Sequence, residues 1–119
     1  MEPLPPYFEN IKRTALVLKP KQPFHDWLLS VEPGNDFSDA LQEGDVYLLP
    51  DYEKISQMQN WLKRNFDSIF TDQLNNWYTN EDLWPQNRTM AMFKEWFEYS
   101  LITTILDTQA GGIEKTGYT

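Results

Sequence analysis

The 119-residue chain contains no cysteine and only one histidine, His25. The first absence removes disulfides, thiol nucleophiles and thiolate metal sites together. The second leaves no imidazole set for zinc, so neither a metal nor a cofactor is expected. Long apolar runs are also missing, since nothing approaches the roughly 20 residues that span a bilayer. The opening Met1-Glu2-Pro3-Leu4-Pro5-Pro6 has neither the basic region nor the apolar stretch of a secretory signal, and by elimination the expected location is cytoplasmic. Positive charge is scarce. Ten Lys and Arg against 18 Asp and Glu give a formal charge of −8. A field of that sign repels phosphate backbones and anionic lipid surfaces, so neither nucleic acid nor membrane is an expected partner.

Ready-made catalytic patterns are missing as well, and no catalytic residue is assigned. The only Gly-Gly pair, Gly111-Gly112, lies near the end, so no glycine-rich loop cradles a phosphate. There is no Gly-x-Ser-x-Gly elbow. A calcium loop starting at Asp36 would put Leu41 where glycine is required. His25 and Asp26 suggest half of a triad, but adjacent helical residues do not face each other. Asn87-Arg88-Thr89 fits a glycosylation acceptor without the secretory context that would use it.

What the chain does have is apolar and aromatic bulk. Hydrophobic residues make up 40% and aromatic residues 15%, enough for one core and too little for two. Pro3, Pro5 and Pro6 make residues 1–11 an extended arm. Arg13-Thr14-Ala15-Leu16-Val17-Leu18 is apolar without alternation, which predicts a strand buried on both faces. Pro23 suits the first position of a helix on which Phe24, Trp27, Leu28 and Val31 share one side. Val46-Tyr47-Leu48-Leu49, closed by Pro50, is a second strand, and Asp51 is the expected cap of the next helix. Ile55, Met58, Leu62, Phe66, Phe70, Leu74 and Trp77 recur every three or four residues, a stripe read as two helices divided near Asn65 to Asp67. Residues 79–87 form a loop and residues 88–98 a helix. Leu101-Ile102-Thr103-Thr104-Ile105-Leu106 is β-branched and predicts a third strand.

These elements sum to a single α+β domain over residues 1–107, with α/β as the alternative. In this three-layer-like arrangement about four helices cover a small, mostly buried three-stranded sheet. Residues 108–119 form a flexible tail.

Two segments concentrate polar chemistry. If the first two strands run parallel, the loops after Leu18 and Leu49 open on one edge of the sheet. Lys19, Lys21, Asp51 and Tyr52 then converge there with two helix N-termini, which attract anions. The loop carrying Asp82, Trp84, Asn87 and Arg88 is placed to close over that edge. The eight residues form a candidate site for a small anionic ligand or a partner's acidic group. The competing reading is a rigid corner, with solvated lysines and a loop clamped by Asp and Asn on backbone N–H groups.

The segments Ala15-Leu16-Val17-Leu18-Lys19-Pro20-Lys21-Gln22-Pro23-Phe24-His25-Asp26-Trp27-Leu28, Val46-Tyr47-Leu48-Leu49-Pro50 and Glu81-Asp82-Leu83-Trp84-Pro85-Gln86-Asn87-Arg88-Thr89, with Met92-Phe93-Lys94-Glu95-Trp96-Phe97, resemble a family of small uncharacterised bacterial proteins. The resemblance spans residues 12 to 107 and implies no activity, cofactor or catalytic residue. At the level of fold alone the chain is similar to barstar-like inhibitors, which are also small and acidic.

The leading expectation is a non-catalytic cytoplasmic binding or protein-interaction module, with an unidentified protein or a second copy as partner. The alternatives are a small enzyme acting on an anionic small molecule at the strand ends, and an acidic inhibitor or immunity-type protein. Deleting residues 110–119 should change the unfolding free energy by less than about 1 kcal/mol, because the segment has little to bury. Coincident urea melts of the full and shortened chains check this; a larger loss shows a docked tail.

Overall fold

The structure, a computed structural model, describes residues 8–117. The chain runs through β1 (Glu9–Ile11), β2 (Thr14–Pro20), α1 (Gln22–Val31), a 3-10 turn (Ser38–Leu41), β3 (Asp45–Leu49) and α2 (Ile55–Asn75). A second 3-10 turn (Glu81–Leu83), α3 (Met90–Trp96), β4 (Phe97–Ile102) and β5 (Ile105–Asp107) follow. This is a mixed α+β chain. Prolines 3, 5 and 6 of the expected arm lie outside the described residues, as do residues 118 and 119 of the tail. No helix among the described residues is long and apolar enough to cross a membrane.

β2 is the centre of a three-stranded sheet ordered β3-β2-β4, and both its neighbours run antiparallel to it. β1 and β5 pair as a two-stranded ribbon that continues the β2–β4 pairing. Between the pairs Ile11–Ile105 and Ala15–Ile102, residues 12, 13 and 14 stand across from only 103 and 104. One extra residue on one strand is the signature of a bulge, which bends the ribbon away from the sheet.

Period-two geometry divides the sheet into two faces. Leu16 and Leu18, with Leu49 and Phe97, point inward and are almost fully buried. Thr14 lies on the same side, and its hydroxyl donates to the Pro50 carbonyl at 2.7 Å. They join one core with Phe24, Trp27 and Leu28 of α1, Met58, Leu62, Ile69, Phe70 and Leu74 of α2, and Phe93 of α3. The opposite face holds Val46 and Leu48 of β3 and Ile102 of β4, which are 61%, 50% and 40% exposed. Ala15, between its register partners Leu48 and Ile102, is only 4% exposed because their larger side chains wall it in. The three α-helices therefore lie on one side, where the sequence suggested about four covering both faces. The expected three-layer order is replaced by a sheet with one open face.

The helix expected to divide near Asn65 is continuous from Ile55 to Asn75. Asn65 does not break it because its amide donates to the Trp61 carbonyl one turn back at 2.8 Å, satisfied within the helix. Asp51 does not cap it. The first turn is served by Gln57, whose side-chain oxygen accepts from the Glu53 and Lys54 N–H groups. The expected helix over 88–98 is shorter, and the strand expected over 101–106 is divided at residues 103–104 between β4, which already begins at Phe97, and β5. Phe93 and Phe97 are four apart, a helical spacing, but Phe97, Tyr99 and Leu101 also sit at the period of a strand. Packing of Phe97 against Phe70 (centroids 5.2 Å) and Phe24 (5.5 Å) decides for the strand.

Phe93 is fully buried, its ring among Phe66, Phe70, Phe97 and Tyr99. Trp96 stands at the rim of this cluster, partly exposed, with Phe70 at 5.5 Å. Phe93→Ala should therefore cost about 3–5 kcal/mol and Trp96→Ala less. Denaturant midpoints of the two variants check the order; an equal or reversed loss places Trp96 at the centre instead.

Candidate functional site

The antiparallel pairing of β2 and β3 takes apart the strand-end site expected from sequence. Thr14 pairs with Leu49 and Leu18 with Asp45, so the exits of the two strands lie at opposite ends of the sheet. With about 3.4 Å per residue, Lys19 is roughly 17 Å along the strands from the level of Leu49, and Asp51 follows Leu49 beyond that end. Parallel strands would have required a crossover, but the intervening helix α1 returns the chain to the same end.

Each expected residue has a local task. Lys19 is exposed, opposite Glu98 in the β2–β4 register. Lys21 precedes α1, and its Nζ donates to the Lys94 carbonyl at 3.4 Å, placing a cation at the C-terminal end of α3 where the helix dipole is negative. Asp51 is exposed at the far end, beside the bulge. Tyr52 packs against the core, with its N–H on the Pro50 carbonyl. Asp82 is exposed, and its N–H donates to the Asn80 side chain at 3.0 Å. Asn87 takes a left-handed backbone, φ 58°, which asparagine tolerates better than most side chains.

Trp84 and Arg88 are brought together. Trp84 is buried, and its indole donates to the Tyr78 carbonyl at 2.7 Å. Arg88 donates from Nε to Asp67 Oδ1 at 2.7 Å and from Nη1 to the Pro85 carbonyl at 2.8 Å, its guanidinium 6.0 Å from the Trp84 ring. Trp27 ties α1 to the same loop through its indole, which donates to the Leu83 carbonyl at 2.9 Å. These bonds are those of a clamp that staples the 79–89 segment to α1 and α2. The half-exposed Asp67–Arg88 pair contributes at most about 1 kcal/mol.

A cleft of about 630 Å³ runs beside this clamp, bordered by Asp67, Asp72, Glu81 and Asn75 together with Trp84 and Arg88. Three carboxylates against one guanidinium make it acidic, the reverse of what an anionic ligand needs. Lys19, Lys21, Asp51, Tyr52, Asp82 and Asn87 do not line it.

A second polar constellation escaped the sequence reading. The Tyr47 hydroxyl donates to Asp72 Oδ2 at 2.6 Å, and Gln73 Nε2 donates both to the Tyr47 oxygen and to Asp45 Oδ2, each at 2.7 Å. Together they pin β3 to α2. Burial first, and then the bond to the Asp72 carboxylate, push the Tyr47 hydroxyl well above the usual tyrosine range. The alternation in Asp45-Val46-Tyr47-Leu48 was the available signal: the polar pair Asp45 and Tyr47 on one face, the apolar pair Val46 and Leu48 on the other.

Set against known proteins, the chain matches no family model, no curated protein and no solved structure.

A hydroxyl whose pKa is raised on folding contributes stability that is complete below its unfolded value, about 10, and is lost as pH climbs past it. Tyr47→Phe should cost about 1 kcal/mol near neutrality and soften the decline in stability as pH rises above about 10. Urea melts of both chains across that range check this. Parallel curves would show that Tyr47 carries none of the alkaline loss.

Proposed function

We propose that this chain is a non-catalytic, cytoplasmic protein-interaction module whose contact surface is the β3 side of its sheet. The carrying observation is the exposure of Val46 and Leu48 on an edge strand, on the side of the sheet away from the buried Leu16, Leu18 and Leu49. Soluble domains place isolated apolar side chains outside without consequence, but an apolar edge strand is a hazard that natural sheets blunt with charge, proline or a covering segment. Here the outward side chains of β3 are aliphatic. The enzyme reading finds less support, because the polar residues at the 79–89 loop are engaged in holding the loop. The acidic surface favours a basic protein over a nucleic acid, which leaves an inhibitor-like role within the same reading.

The test uses a photo-reactive benzoylphenylalanine in place of Leu48, with the same group in place of the exposed Arg64 of α2 as control. Irradiation in native cell extract should give discrete cross-linked species at the first position only. Val46→Lys in the same chain should remove them, while the melting temperature moves little, as expected for a surface change of about 0.5 kcal/mol. Equal labelling at both positions, or labelling indifferent to Val46→Lys, overturns the reading.

A further inference from the structure

We infer that the pocket between α2, α3 and β4 binds a small phosphate monoester, held by Lys63 and Lys94. The pocket lies on the helical side of the sheet, at the strand opposite β3, and the inference stands independently of the interaction reading above.

Three elements meet here. Gln59, Leu62 and Lys63 come from one turn of α2, Met90 and Lys94 from successive turns of α3, and Tyr99 from the inner face of β4. Residues three and four apart on a helix share a face, so each helix turns its set toward the same space. Together they line a cavity of about 210 Å³. Leu62 is almost fully buried and Met90 packs against the core, which gives the cavity an apolar floor. The Tyr99 ring is anchored on Phe93, with centroids 5.9 Å apart.

The polar groups of this pocket are uncommitted. Among the described residues, the side chains of Gln59, Lys63, Lys94 and Tyr99 make no hydrogen bond or ion pair. In the 630 Å³ cleft, by contrast, Trp84, Arg88 and Asp67 are occupied in holding the loop. No Asp or Glu lines the smaller pocket. Glu95 follows Lys94 and is turned about 100° around α3, and Glu98 points to the other face of β4, across from Lys19. Lys21 adds positive charge nearby, its ammonium 3.4 Å from the Lys94 carbonyl. In a chain of charge −8 this is a local reversal of sign. Salt screens the distant acids over about 8 Å, so the lysines at hand set the potential inside the pocket.

Size and donor count select the ligand. At about 30 Å³ per water the cavity holds roughly seven waters, room for a phosphate with a few carbons and too little for a nucleotide. Two ammonium groups call for a dianion. A phosphate monoester carries about 1.5 to 2 negative charges near neutrality and offers three acceptor oxygens. The two lysines, the Tyr99 hydroxyl and the Gln59 amide supply four donor groups to them. A carboxylate brings one charge and two oxygens, which leaves donors unused. The carbon substituent would lie on Leu62 and Met90, where contact removes apolar surface from water.

The test titrates the full chain, labelled at its methionine and leucine methyls, with propyl phosphate against sodium chloride of equal ionic strength. Expected are saturable shifts of the Met90 and Leu62 methyl signals, with a Kd of about 1 mM for so small a ligand. Lys63→Gln and Lys94→Gln should each weaken binding about tenfold and Tyr99→Phe about threefold, with melting temperatures close to the parent's. Lys12→Gln, at a different cavity beside the bulge, should change nothing. Butyrate should bind about tenfold more weakly than propyl phosphate, having one charge fewer. Shifts that never saturate, or that sodium chloride reproduces, would mean solvated lysines and overturn the site. Binding unmoved by both lysine substitutions, or butyrate as tight as propyl phosphate, overturns it too. So does an acetylated phosphoserine tripeptide that binds more tightly than propyl phosphate, which would make a modified protein the ligand. None of these results bears on cross-linking at position 48, so this inference and the interaction reading fail separately.

Discussion

The seating of α2 on the inner face of the sheet is the contact on which the rest of the molecule depends. Met58, Leu62, Phe70 and Leu74 form its buried stripe, and each is essentially inaccessible to water. Removing large apolar side chains of this kind from water stabilises a fold by about 1.5–3 kcal/mol each, the scale on which a small domain's whole margin is measured. Phe70 then carries Phe93, Trp96 and Phe97 through ring contacts of 5.2–6.1 Å, which fixes where α3 stops and β4 starts. Because α1 and α3 dock into this same cluster, their apolar surface is spent on one side of the sheet. The open face is a consequence of that arrangement.

The far end of α2 works by polar contact. Gln73 is buried yet has both its neighbours, Tyr47 and Asp45, within hydrogen-bonding distance, and leaving such an amide unpaired would cost about 1–3 kcal/mol. The bonds hold β3 at the distance where its inner side chains pack, while its outer edge stays clear of the helix. A groove between an edge strand and a helix results, apolar on one lip and acidic on the other.

Much of this was legible in the residues. The i, i+3 and i+4 recurrence from Met58 to Leu74 located α2, and the run Thr14 to Leu18 located the central strand. Asn65 was read as a break because asparagine favours caps; nothing in a single sequence shows that its amide bonds one turn back. Phe97 satisfied helical and strand periods at once, and only its neighbours in space chose. Strand direction was the costliest gap. With β2 and β3 taken as parallel, Lys19, Lys21, Asp51 and Tyr52 fell at one edge; antiparallel pairing sends them to opposite ends. Trp84 and Arg88 lie on one short loop and stay together in space, the guanidinium 6.0 Å from the ring. The Tyr47–Asp72–Gln73–Asp45 cluster joins residues more than 20 positions apart, and no local pattern links them.

One-sided burial is the claim that supports both the fold and its use, and it is open to direct measurement. Addition of a soluble paramagnetic relaxation agent to the methyl-labelled chain reports how near solvent comes to each side chain. Strong broadening of the Val46, Leu48 and Ile102 methyl signals is expected, and little at Leu16, Leu18 and Leu49. Protection of Val46, Leu48 and Ile102 to the level of Leu16 in the monomeric chain would contradict it, showing that a further layer covers the sheet.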